Sequence, residues 1–127
     1  MNKIVSCFDL NAWKYGHTLV LEVYKITNNF PRDELFGVTS QLRRSATSIT
    51  ANIAEGFGRY HYKDKTRFYY QSRGSAFETQ NFLIVAKDLG YLDKKVCDEL
   101  ISRYTELIKI VNGLIRRVSM RNNSISP

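Results

Sequence analysis

One run constrains the fold more than any other. From Val96 to Val118, the residues Val96, Leu100, Tyr104, Leu107, Val111, Leu114 and Val118 follow at steps of four, four, three, four, three and four. A 3.6-residue turn brings all of them to one side of a helix, so the spacing predicts a long amphipathic helix whose seam other helices close. A strand cannot use this pattern, because a two-residue period would send the same side chains to both faces. Ile101, Ile108 and Ile115 repeat at steps of seven beside the seam. They widen the apolar surface beyond what one neighbouring helix covers, which leaves two uses open: a broad face of the chain's own core, or a candidate oligomer interface.

Three further helices precede it. Residues 10–28 carry Trp13, Gly16, Val20, Val23 and Thr27 at three- and four-residue steps, and "NNFPRDE" ends the run because Pro31 biases Phe30 out of helical geometry. Residues 38–58, with Thr39 or Ser40 as cap, place Leu42, Ala46, Ile49, Ile53 and Phe57 on one face. Residues 63–89 place Phe68, Ser72, Ser75, Thr79, Phe82, Ala86 and Leu89 together, with Gly90 as the stop. The fourth helix is expected over 93–120, and the tail "RNNSISP" has no period and is expected to fray. Connectors of about ten residues or fewer favour up-down neighbours, so the expectation is an all-α, antiparallel four-helix bundle forming one domain over 1–127.

Charge narrows the partners. Nineteen Lys and Arg against twelve Asp and Glu give a formal +7, which suits a polyanionic partner or an acidic membrane face without choosing between them. Cys7 and Cys97 are isolated, and His17 and His61 sit on different segments without the Glu-x-x-His pairs of bundle metal sites, so neither a metal nor another cofactor is expected. The start "MNKIVSCFDLNAW" lacks a signal-peptide apolar stretch, and no run of about 18 apolar residues follows, so a cytoplasmic protein with no membrane partner is expected.

Two segments carry the polar chemistry. On the second helix Gln41, Ser45, Ser48, Asn52, Glu55 and Arg59 form a stripe beside the apolar one, and the third helix offers Ser75 and Glu78 in "RGSAFET". An unpaired buried polar group costs about 1–3 kcal/mol, so Ser48, Asn52, Glu55, Ser75 and Glu78 are expected to hydrogen-bond as a structural network, with Gly74 allowing close approach. A general acid or base on Glu55 or Glu78 is the competing use, but it lacks a companion nucleophile, and no catalytic residue is expected. In "RYHYKDKTRFYYQSR", five Lys or Arg meet one acid and five aromatics, a composition that suits phosphates and unstacked bases. Arg116, Arg117 and Arg121 either join this patch or complement the dipole of the fourth helix.

The stretches "FPRDELFGVTSQLRRSATSITANIAEGFGR", "RFYYQSRGSAFE" and "LGYLD" follow one another at a spacing that resembles the bacterial 23S rRNA-intervening-sequence proteins, over about Trp13 to Leu92. The family's paired arginines fall on Arg43 and Arg44, its Ser-Ile and Asn-Ile steps on Ser48, Ile49, Asn52 and Ile53, and its acidic-glycine end on Glu55 and Gly56. Its later Gly-Ser and acidic positions fall on Gly74, Ser75 and Glu78. Tyr60 and His61 stand where small hydroxyl residues commonly begin the third helix, and Lys65 replaces a usual aromatic, which weakens the helix cap there. The resemblance implies a four-helix bundle, a basic cyclic homopentamer in relatives, genes within inserts of large-subunit rRNA genes, and no established reaction. A related group, accessory proteins of diversity-generating retroelements, implies nucleic acid or a reverse transcriptase as partner. The expected nucleic-acid-binding set is Arg43, Arg44, Arg59, Lys63, Lys65, Arg67 and Arg73, with a protein partner or scaffold role as the alternative.

Overall fold

The computed structural model describes residues 3–125. Four long helices carry the chain: α1 (Asn11–Thr27), α2 (Val38–Phe57), α3 (Tyr62–Asp88) and α4 (Lys94–Ile125), with short 3-10 turns at Cys7–Asp9 and Arg32–Glu34. No strand occurs among the described residues.

Local chemistry sets the helix ends. Gly90 adopts φ 83°, and behind it the Tyr91 N–H donates to the Ala86 carbonyl at 2.9 Å and the Gly90 N–H to Lys87 at 3.0 Å. This left-handed closure stops α3 and favours glycine. Asp93 then opens α4, its carboxylate accepting the Lys95 N–H at 3.1 Å. The start of α2 differs from expectation: Gly37 is the cap, Glu34 Oε1 receives the Val38 N–H at 3.4 Å, and Thr39 is already inside the helix and buried. At α3, His61 occupies the cap without a side-chain hydrogen bond. The expected fraying is also corrected. With no glycine or proline between Gly113 and Pro127, α4 continues to Ile125, and Ser126 and Pro127 lie outside the described residues.

Each helix packs against two others, α1 on α2 and α4, α2 on α3, and α3 on α4. Across α2 and α3, Arg44 meets Glu78, Ser48 meets Ser75, Ile49 meets Ser72 and Gly56 meets Tyr69, so residue numbers rise on one helix as they fall on the other. The same opposite run joins α3 to α4 through Arg73 with Asn112, Gln80 with Ile101 and Leu83 with Cys97.

Leu19, Val23, Leu42, Ile49, Ile53, Tyr69, Leu83, Tyr104, Leu107 and Val111 fill the centre. Large apolar side chains contribute roughly 1.5–3 kcal/mol each when buried, so this cluster is the main support of the fold. Three readings of the faces change. The α4 seam begins at Leu100, while Val96 is 38% exposed and Cys97 turns inward against the Leu83 carbonyl. On α3 the buried line is Tyr69, Ser72, Ala76, Thr79, Leu83 and Ala86, so Ser72, Thr79 and Ala86 stand as expected and Phe68, Ser75 and Phe82 give way to their next neighbours. Ile108 and Ile115 are covered by the chain's own core, and Ile101 is half-buried.

Candidate nucleic-acid interface

Hydroxyls line the contact between α2 and α3. The Ser72 hydroxyl donates to the Ile49 carbonyl at 2.8 Å, the Ser48 and Ser75 hydroxyls lie 2.9 Å apart, and Thr79 Oγ1 stands 2.9 Å from Ser45 Oγ. Asn52 Nδ2 donates to the Ser48 carbonyl at 2.9 Å. Ser48, Asn52 and Ser75 are thus brought together, and Ser45, Ser72 and Thr79 join them. Glu78 flanks this interface, receiving Arg44 at 2.6 Å on the exposed side. Glu55 does not take part; it pairs with Arg59 at 3.2 Å on the outer surface. The stripe's 3.5-residue spacing drifts about 20° per heptad around an α-helix, which carries its end away from α3. At about 1.5 Å per residue, Glu55 stands roughly 16 Å along α2 from the Arg44–Glu78 pair, so the two carboxylates share no site.

The basic residues divide between the two ends of the bundle. Arg43 donates from Nε to Thr27 Oγ1 at 2.9 Å and stacks over Tyr24 at 4.7 Å, clamping the end of α1. Arg44 holds Glu78 and Gln41. Along α2, Arg43 lies roughly 24 Å from Arg59 at about 1.5 Å per residue, so Arg43 and Arg44 stand toward the opposite end of the bundle from Arg59. Arg73 is turned toward α4, donating to Asn112 Oδ1 at 2.9 Å.

Arg59, Lys63, Lys65 and Arg67 remain together where α2 gives way to α3. The Arg59 and Arg67 guanidinium groups lie 4.7 and 4.6 Å from the Phe68 ring centroid, so Phe68 serves as their platform rather than as core. Lys65 Nζ donates to the Phe57 carbonyl at 2.7 Å and closes the end of α2, while burial pushes its pKa down. Lys63 is exposed, as are Tyr60 and His61 beside it.

Folding adds cations that the segment alone does not contain. A cleft of about 470 Å³ at this end is lined by Lys14 of α1, Lys65 of α3, and Arg117 and Arg121 of α4. Of Arg116, Arg117 and Arg121, for which two uses stand open, Arg117 and Arg121 line this cleft. Lys14 was missed because its position on α1 reads as an ordinary polar face; only the return of α4 to the same end reveals it. Asp9 also lines the cleft, and the Val5 and Ser6 N–H groups at 2.9 and 3.0 Å hold its carboxyl below the usual range. Clustered cations beside exposed rings can neutralise phosphates and stack unpaired bases. Among the described residues, no group of three His, Cys, Asp or Glu could hold a metal, and no helix is long and apolar enough to cross a membrane.

A family model described as 23S rRNA-intervening sequence protein matches residues 8–113. The chain is also similar to the crystal structure of a protein of unknown function from the S23 ribosomal protein family of Bacteroides thetaiotaomicron VPI-5482, with a TM-score of 0.76 at 20% identity. That likeness covers 83% of this chain and 95% of the other, and at such identity it concerns the fold alone. No curated protein matches the sequence.

Proposed function

The chain belongs to the 23S rRNA-intervening sequence protein family, and on that premise we propose a non-enzymatic bundle protein that binds RNA or another nucleic acid through its basic end. Association with rRNA or the ribosome in the cytoplasm is part of this reading. The observation that carries it is the meeting of Lys14, Lys65, Arg117 and Arg121 around one cleft, beside exposed Lys63 and Arg67. Affinity then comes mainly from phosphates, with weak sequence preference. Titration of labelled single-stranded and structured RNA at rising salt tests this. Each phosphate contact should add about −0.7 to the log–log slope for single strands. Absence of binding at low salt, or binding indifferent to salt, overturns the proposal.

The opposite run of residue numbers across the packed helices supports an up-down antiparallel bundle. We further propose that it assembles as a cyclic homo-oligomer. Tyr70, Phe77 and Ile84 are exposed on α3 at seven-residue steps, and the Gly74 position between them has open space. This stripe favours α3 as the contact over Ile101, Ile108 and Ile115, most of whose surface the single chain already buries. Phe77→Glu should lower the mass measured by light scattering, and a wild-type protein of monomeric mass contradicts the assembly. The same stripe favours a second reading, an accessory scaffold for a nucleic-acid enzyme. A protein partner whose capture survives nuclease treatment and is lost in Phe77→Glu would support it.

A further inference from the structure

The cleft at the basic end contains a polar group that the chain leaves unpaired. Tyr69 is 2% exposed and lines the cleft, and its hydroxyl has no hydrogen-bond partner among the described residues. The ring is wedged against Gly56, where a Cβ would stand 2.7 Å from Tyr69 Cε1, so the side chain is fixed in place. Burial pushes the Tyr69 pKa up to about 12, which keeps the hydroxyl a donor at neutral pH. Leu10, Phe57, Leu114 and Val118 give the cleft an apolar wall. Lys14 and Arg117 are exposed at its edge.

These features select among ligands. An aliphatic tail would cover the wall but leave the Tyr69 donor unpaired, at a cost of about 1–3 kcal/mol. Inorganic phosphate would meet the cations and leave the apolar wall wet. A planar heterocycle with acceptors on its edge, carrying a phosphate, answers all three. The volume of about 470 Å³ falls toward the small end of the range for small-molecule sites, roughly 300–1,000 Å³.

We propose that the cleft takes one nucleoside monophosphate unit, its base against Phe57 and Leu114 with an edge acceptor on the Tyr69 hydroxyl, and its phosphate on Lys14 and Arg117. Two sources share this chemistry, a free mononucleotide and an unpaired nucleotide of an RNA strand. The second rests on the RNA reading above.

Calorimetric titration of the full chain with the common nucleoside monophosphates, inorganic phosphate, single-stranded RNA and duplex RNA tests the assignment. At least one monophosphate should bind about tenfold more tightly than inorganic phosphate. Tyr69→Phe, which keeps the ring, should weaken that monophosphate about three- to tenfold, equivalent to one net hydrogen bond, and leave inorganic phosphate unchanged. Arg117→Gln should weaken both. Equal affinity for monophosphate and inorganic phosphate, or a monophosphate affinity untouched by Tyr69→Phe in a protein with unchanged melting, overturns the proposal. Displacement of the monophosphate by single-stranded but not duplex RNA supports the strand as source. Monophosphate binding without any RNA binding supports the free ligand and removes the RNA reading. RNA binding with no monophosphate binding, at equal strength in Tyr69→Phe, removes the nucleotide cleft and leaves the RNA reading standing.

Discussion

Gly56 and Gly74 sit on neighbouring helices and respond to the same substitution in opposite ways. A Cβ on Gly56 would stand 2.7 Å from Tyr69 Cε1 and 3.1 Å from the Lys65 carbonyl, whereas one on Gly74 meets nothing within 4 Å. Gly56→Ala should therefore destabilise by about 1–3 kcal/mol through overpacking, and Gly74→Ala should stabilise by about 0.5–1 kcal/mol through lower backbone entropy in the unfolded chain. Urea unfolding should give midpoint shifts of opposite sign; shifts of one sign would refute the packing described. Tyr69 makes stability depend on alkaline pH. Its folded pKa of about 12 lies above the ordinary 10.0, so between those values the native chain keeps a proton that the unfolded chain has lost. The contribution is whole below pH 10 and disappears as pH rises toward 12, a loss on the order of 1–2 kcal/mol after solvent screening. Burial raises Tyr104 in the same direction. Tyr69→Phe should flatten the fall in melting temperature across that window, and an unaltered alkaline profile would contradict the burial of this side chain. Tyr104 carries a buried hydroxyl with no partner among the described residues, so Tyr104→Phe should leave stability at neutral pH unchanged or raise it by about 1 kcal/mol.

Between elements, the contact of α2 with α3 separates interactions that matter from those that look similar on paper. Thr79 is fully buried and bridges Ser45 and the Ser75 carbonyl, while Arg44 and Glu78 pair with side chains 51% and 40% exposed. Thr79→Val should cost about 1–3 kcal/mol by leaving buried groups unpaired, and Arg44→Ala less than about 1 kcal/mol because solvent screens the pair. Thermal melting of both variants measures the contrast, and a larger loss in Arg44→Ala would refute it. The same interface explains how far sequence reading reached. Leu42, Ala46, Ile49 and Ile53 were legible because α2 has one continuous apolar line with polar residues beside it. On α3, Phe68 and Tyr69, Ser75 and Ala76, and Phe82 and Leu83 are adjacent, so two lines about 100° apart fit the spacing equally well. The inner line takes Tyr69, Ala76 and Leu83 in place of Phe68, Ser75 and Phe82, and hydropathy gives no signal for that choice. Ser48, Asn52 and Ser75 were found by requiring partners for buried polar groups. Glu55 was misplaced because a 3.5-residue stripe drifts off the interface.

Across the whole molecule, what could not be read was which charges share an end. Arg43 and Arg44 fix α1 and α3 at one end of the bundle, while Lys63, Lys65 and Arg67 meet Lys14, Arg117 and Arg121 at the other, an encounter that depends on chain return rather than on any local motif. The basic segment from Arg59 to Arg73 was visible as composition, but Lys14 and the end of α4 became part of the site only through the fold. If the functional surface is this end, position should matter more than net charge. Lys63→Glu with Arg117→Glu reverses two exposed charges at the basic end, and Lys25→Glu with Lys95→Glu reverses two exposed charges on the last turn of α1 and the first of α4, so both variants lower the formal charge equally. The decisive measurement is the RNA affinity of these two variants against wild type at the same low salt. The basic-end variant should lose about tenfold or more and show a shallower salt slope, with the opposite-end variant within about twofold of wild type. Equal losses, or a greater loss at the opposite end, would contradict the account.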